Sequence, residues 1–190
     1  MSQEPWLVAI DMQEVFCRSD SGWFVPRYHE AAEGIQALLP LFGDRVVLTR
    51  FVAPSPPEGA WRQYYRRWPF ALVADDDQMY DLSKGFAGLD HPVVTETTFG
   101  KWGPRLADIM AGSTEMVLTG VSTDCCVMAT ALAACDAGVH VSVVADACAG
   151  ISDEDHQRSL DAMALFTPLL DITTVEQMGQ RLGPRPANSA

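Results

Sequence analysis

Six short apolar runs punctuate this chain, at Trp6–Ile10, Arg45–Phe51, Pro92–Thr95, Met116–Thr119, Val139–Ala145 and Leu169–Ile172. Trp6–Ile10 is continuously apolar and the others are mostly so, the mark of strands buried on both faces, and such strands belong to parallel sheets. Parallel strands need crossovers. Stretches with helical spacing supply them at about Tyr28–Leu41, Pro104–Ala111, Asp124–Ala137, Asp153–Phe166 and Val175–Leu182. The pattern predicts an α/β fold, a three-layer α/β/α sandwich with a mostly parallel, Rossmann-like six-stranded sheet. A length of 190 residues with 48% hydrophobic content suits one domain over residues 1–190, with 182–190 as a frayed tail.

Charge and cysteine usage narrow the function classes. With 25 acidic against 13 basic residues the formal charge is −12, which repels nucleic-acid phosphates and anionic membranes. No apolar stretch is long enough to span a bilayer, and MSQEPW lacks the basic-then-apolar pattern of a signal peptide, so a cytoplasmic protein is expected. Five cysteines without C-x-x-C spacing argue against a disulfide framework and a structural zinc site. Neither G-x-G-x-x-G nor G-x-x-x-x-G-K-[ST] occurs, so no nucleotide is expected and no cofactor is implied. The expected partner is a small-molecule substrate.

Ligands of such sheets bind beyond the carboxyl ends of the strands, so Asp11, the residues after Phe51, those after Thr95, and Gly120–Cys126 are expected to converge. In VLTGVSTDCCVMATALAACDA (Val117–Ala137) a strand runs through a glycine turn into a helix, with Ser122 or Thr123 as N-cap. Cys125 and Cys126 then sit in the first turn, where the helix dipole favours a thiolate. The alternative is that both are buried packing cysteines. The proline- and aromatic-rich Ala53–Tyr80 reads as a functional loop or a weakly marked helix, its Trp61, Tyr64, Tyr65 and Trp68 forming a pocket wall or packing a lid or dimer contact.

AIDMQEVF at Ala9–Phe16, GVSTDCCVMATA at Gly120–Ala131 and VVADACAG at Val143–Gly150 together resemble the isochorismatase-like cysteine hydrolase superfamily, which includes nicotinamidases and N-carbamoylsarcosine amidohydrolases. The resemblance covers about residues 5 to 175. It implies a triad of aspartate (Asp11), lysine and cysteine (Cys126), with Cys125 turned away from the pocket. It also implies a cis Val121–Ser122 peptide and an oxyanion hole built from the backbone amides of Ser122 and Cys126. The chain has two lysines, Lys84 and Lys101. Lys101 is the candidate for the triad, although a gap-free alignment puts Glu96 in that slot.

Several relatives hold a metal with an aspartate and histidines after the second strand. Here Arg50-Phe51-Val52-Ala53 stands there, and His29, His91, His140 and His156 have no ligand spacing, so no metal is expected. His156 reads as a helix-surface residue. Phe16, Trp61 and Trp102 are the candidate substrate contacts, and the resemblance implies a homo-oligomer, a dimer or tetramer. The activity implied is hydrolysis of a small amide or related C–N bond through a thioester. Two alternatives stand beside it: vinyl-ether hydrolysis relying on the aspartate, and a catalytically silent binding or assembly member if Glu96 fills the lysine slot.

Overall fold

A computed structural model describes residues 4–183. The six apolar runs form β1 (Trp6–Ile10), β2 (Val46–Phe51), β3 (Val93–Glu96), β4 (Glu115–Val121), β5 (His140–Ala149) and β6 (Leu170–Thr173). They lie side by side in the order β3-β2-β1-β4-β5-β6, every neighbouring pair parallel. Side chains alternate between the faces. Leu7 and Ala9 of β1 pack into one core cluster, while Val8 and Ile10 pack into the other, and all four are fully buried.

Seven helices complete the described chain: α1 (Glu14–Cys17), α2 (Tyr28–Phe42), α3 (Trp61–Arg67), α4 (Pro104–Ile109), α5 (Met128–Asp136), α6 (Asp153–Ala164) and α7 (Val175–Leu182). Tyr28, Ala31, Ile35, Leu38 and Phe42 of α2 recur at three- and four-residue steps and form one buried stripe on the first cluster, which Met178 of α7 joins. On the second cluster lie Leu106 of α4, Ala131 and Ala134 of α5, and Leu160 and Met163 of α6. Three layers result.

Four features differ from the sequence reading. Four residues after Gln13 form α1, too short for periodicity to reveal. The Ala53–Tyr80 segment contains α3 and two single 3₁₀ turns, Pro69–Ala71 and Gln78–Tyr80. β5 runs on to Ala149, since polar Asp146 hides its continuation in the hydropathy pattern. Residue 182 closes α7, whereas 184–190 of the expected tail lie outside the described residues.

The chain builds outward from β1 through β2 to β3, then returns to the other side of β1 for β4, β5 and β6. The reversal between β1 and β4 leaves a crevice at their carboxyl ends, the usual ligand position in an open α/β sheet. Ile10 pairs with Gly120 across it. Gly120 has φ +106°, and a Cβ there would lie 2.2 Å from the Ile10 carbonyl oxygen and 2.6 Å from its nitrogen. Only glycine lets the strands meet this closely just before both chains turn away.

Candidate active site

The first residue beyond β1 is Asp11, fully buried, in the left-handed region at φ +50°, which aspartate tolerates better than most residues. Its carboxylate is held from two sides. Thr49 of β2 donates its hydroxyl to Oδ1 at 2.6 Å and accepts the Asp11 amide at 3.0 Å. The Lys101 ammonium stands 3.0 Å from Oδ2, both side chains fully shielded from solvent. Oδ2 has no aligned hydrogen-bond donor. Two residues on, buried Gln13 donates to the carbonyls of Phe51 (2.9 Å) and Tyr80 (2.7 Å) and accepts the Phe51 amide (2.7 Å). It ties the ends of β1 and β2 to the aromatic segment.

Lys101 lies beyond β3, after the Thr97–Gly100 turn. Its ammonium donates to the Thr98 carbonyl at 2.6 Å and stands 5.0 Å from the centre of the Phe51 ring. The Lys101 amide donates to Thr130 Oγ1 at 2.9 Å, and that hydroxyl donates to the Cys126 carbonyl at 2.6 Å. A charge this deeply buried is tolerated only when paired and hydrogen-bonded, as it is here. Glu96 ends β3, partly exposed, with its carbonyl accepting the Val52 amide.

β4 ends at Val121, and the Val121–Ser122 peptide is cis. The next residues form a π-helical turn, Thr123–Val127, rather than the first turn of an α-helix. The Ser122 carbonyl accepts the amides of both Cys125 and Val127 at 3.1 Å. Neither Ser122 nor Thr123 caps the turn with its side chain. Local widening of this kind recurs at functional sites.

The turn changes two expectations. Cys126 is 4% exposed, and burial pushes its thiol pKa well above the ordinary value; the Asp11 charge adds to this and the Lys101 charge opposes it. Desolvation outweighs the helix-terminus effect. Cys125 is not turned away either. It lines the same cavity as Cys126, because the wider turn sets successive side chains at a smaller angle than an α-helix does.

That cavity, about 280 Å³, is walled mainly by Phe16, Trp23, Phe51, Tyr64, Trp68 and Phe99, with Ser122, Cys125 and Cys126 at one side. Burial pushes the Tyr64 hydroxyl up to about 12, so it remains a neutral phenol. Of the three expected substrate contacts, Phe16 lines the cavity. Trp61 stands behind the wall, against Tyr64, Tyr65 and Phe99 at ring distances of 5.4, 5.9 and 5.1 Å. Trp102 packs, partly buried, against the second core cluster and does not line the cavity. The sequence reading missed Thr49, Thr130 and Phe99, which carry no motif of their own and are identified by contacts across the sheet ends.

His156 is a further correction. It is half-buried in α6, with Nδ1 2.8 Å from Oγ1 of the fully buried Thr123, so it braces the turn that carries Cys126. Gly150 permits the approach, since a Cβ there would lie 2.9 Å from His156. Burial lowers the imidazole pKa and the Arg27 charge adds to this, while Asp153 and Asp124 oppose. As pH falls below the ordinary value of 6.5, the unfolded chain therefore takes up the proton first, and stability present above that pH is lost as pH falls through the folded value. Between about pH 8 and about pH 5, melting temperature should fall more for the wild type than for His156→Asn, whose amide mimics the Nδ1 position. Parallel curves would refute this linkage.

The residues at the end of β2 and just beyond it do not fit a metal. Phe51, Val52 and Ala53 are buried and apolar, and Arg50 donates to the carbonyls of Tyr80 and Asp75. Among the described residues, no group of three or more His, Cys, Asp or Glu is placed to hold an ion. No helix among them is long and apolar enough to cross a membrane.

Comparison with known proteins agrees with this fold. The fold superposes on a cysteine hydrolase from Pseudomonas syringae pv. phaseolicola with a TM-score of 0.84, at 20% identity, covering 96% of this chain and 95% of that one. An N-carbamoylsarcosine amidase from Thermoplasma acidophilum superposes with a TM-score of 0.72, at 17% identity, covering 92% and 98%. In sequence, the chain is 36% identical over 72 residues to isochorismatase domain-containing protein 2 of Xenopus laevis, a match spanning 36% of this chain and 35% of that protein. A model of the isochorismatase domain matches residues 5–177, nearly all of the described chain, and the protein belongs to the isochorismatase-like hydrolase superfamily.

Proposed function

We propose that this protein is a cysteine-dependent hydrolase of small carboxamides or related C–N compounds, acting through a thioester acyl-enzyme. The observation that carries the reading is the buried Asp11–Lys101 ion pair beside a cavity-lining thiol that feels both charges. A resting thiol needs a base, and Asp11, with Oδ2 open to a donor, takes its proton as sulfur attacks the carbonyl carbon. Negative charge then moves to the carbonyl oxygen.

The amides of Ser122 and Cys126 are the donors proposed for that oxyanion, each worth about 3–4 kcal/mol by analogy with other acyl-transfer sites. Collapse breaks the C–N bond, and the proton held by Asp11 leaves with the amine. Water, deprotonated by Asp11, attacks the thioester and releases the acid. The returning proton restores the thiol. Lys101 holds the carboxylate in place.

The amidase relative supports this reading over vinyl-ether hydrolysis, which has no use for a cysteine. A silent member was suggested by Glu96 in the lysine slot, but the lysine in the ion pair is Lys101. The test is ammonia release from benzamide, phenylacetamide, butyramide and a ureido acid by the wild type and by Cys126→Ala. Loss of about 10⁴-fold or more in the variant is expected for a nucleophile acting within a catalytic unit. Turnover unchanged by Cys126→Ala would overturn the cysteine mechanism.

A further inference from the structure

Among the described residues, Arg67, the last of α3, is the one cationic side chain on the wall of the Cys126 cavity. Most described arginines are committed. Arg18, Arg27, Arg45, Arg158 and Arg181 pair with carboxylates, and Arg50, Arg62 and Arg105 donate to carbonyl oxygens. Arg66 and Arg67 alone among them have neither kind of partner, and of the two only Arg67 reaches the cavity. In a chain with 25 acidic residues, a cation without a carboxylate at the mouth of an aromatic cavity is a selective feature. Its guanidinium lies 5.5 Å from the centre of the Trp68 ring, a cation–π contact that limits its motion and leaves its donors free. The acidic residue of the wall, Asp124, has Oδ1 engaged by the Ile151 amide.

We infer that the substrate is an amide whose acyl group has an apolar, aromatic-sized body ending in a carboxylate, and that Arg67 is the specificity-determining residue that pairs with that carboxylate. The inference rests on the amidase reading and deepens it. The aromatic wall takes the body, Cys126 meets the amide carbonyl, and the guanidinium offers two parallel donors to the far carboxylate. At net charge −12 the protein repels anions at long range, so selection for one depends on a local cation.

The test compares 4-carboxybenzamide, 4-methylbenzamide and 4-(aminomethyl)benzamide with the wild type, Arg67→Gln and Arg67→Glu. The wild type is expected to favour the carboxylate over the methyl compound by about tenfold or more in kcat/KM, mostly through KM, with the preference shrinking as salt rises. Arg67→Gln should abolish that ratio, and Arg67→Glu should turn it toward the aminomethyl compound. A ratio the same in wild type and Arg67→Gln overturns the inference. Binding is measured separately, as calorimetric affinity of terephthalate against 4-methylbenzoate in Cys126→Ala, with and without Arg67→Gln. If no amide releases ammonia the amidase reading fails, but tighter terephthalate binding that depends on Arg67 still supports the carboxylate site. Equal affinities, or no binding of either acid, overturn it.

Discussion

Replacing Lys101 by methionine is expected to destabilise the protein by about 3–5 kcal/mol, because it leaves the Asp11 carboxylate buried without its countercharge. Both side chains are fully shielded, so solvent cannot take the ammonium's place. The Thr49 hydroxyl would remain on Oδ1, but a neutral donor compensates only in part. Combining Lys101→Met with Asp11→Asn should recover most of the loss, since the buried charge then disappears and asparagine accepts a left-handed backbone. Activity should not return in the double variant, which has no carboxylate to accept the thiol proton. Denaturant unfolding of the two single variants and the double variant measures the coupling. Additive losses would show that the pair does not act as a unit.

A comparably large effect is expected at a residue with no chemistry of its own. Gly120→Ala should cost at least about 3 kcal/mol, through a backbone clash that cannot relax cheaply and a conformation that alanine avoids. The clashing atoms belong to Ile10, the residue immediately before Asp11. Relief by separating β1 from β4 would move Asp11 away from the Cys126 turn, so any protein that still folds should be nearly inactive. Folded Gly120→Ala with wild-type stability and turnover would contradict the close-approach account.

The legible parts of this molecule were those written in local pattern. Doubly buried strands such as Trp6–Ile10 and Val46–Phe51 show as apolar runs because both faces are covered. The convergence of Asp11 with Gly120–Cys126 follows from their places at strand ends, once the sheet is known to be parallel. What stayed hidden depends on contacts between distant residues. Thr49 and Thr130 are ordinary threonines until the sheet brings one to Asp11 and the α5 helix brings the other between Lys101 and Cys126.

The pull of the helix start toward a thiolate at Cys126 is outweighed for a physical reason. Position at the start of a helix is visible in sequence, whereas complete desolvation is a property of the assembled core, and desolvation dominates. From sequence, His156 reads as a helix-surface residue among charged neighbours on α6. Gly150 gave no sign that it opens a path to Thr123. Lys101 could be singled out because the chain has so few lysines, but its pairing with Asp11 rests on the turn after β3 folding back.

The central claim is an acyl group carried on Cys126, and hydroxylamine partitioning tests it most directly. With benzamide as substrate, added hydroxylamine should divert product from benzoate to benzohydroxamate without slowing ammonia release, and Cys126→Ala should form neither. Ammonia release with benzoate as the sole product at every hydroxylamine concentration, or hydroxamate formed equally well by Cys126→Ala, would contradict a thioester on this cysteine.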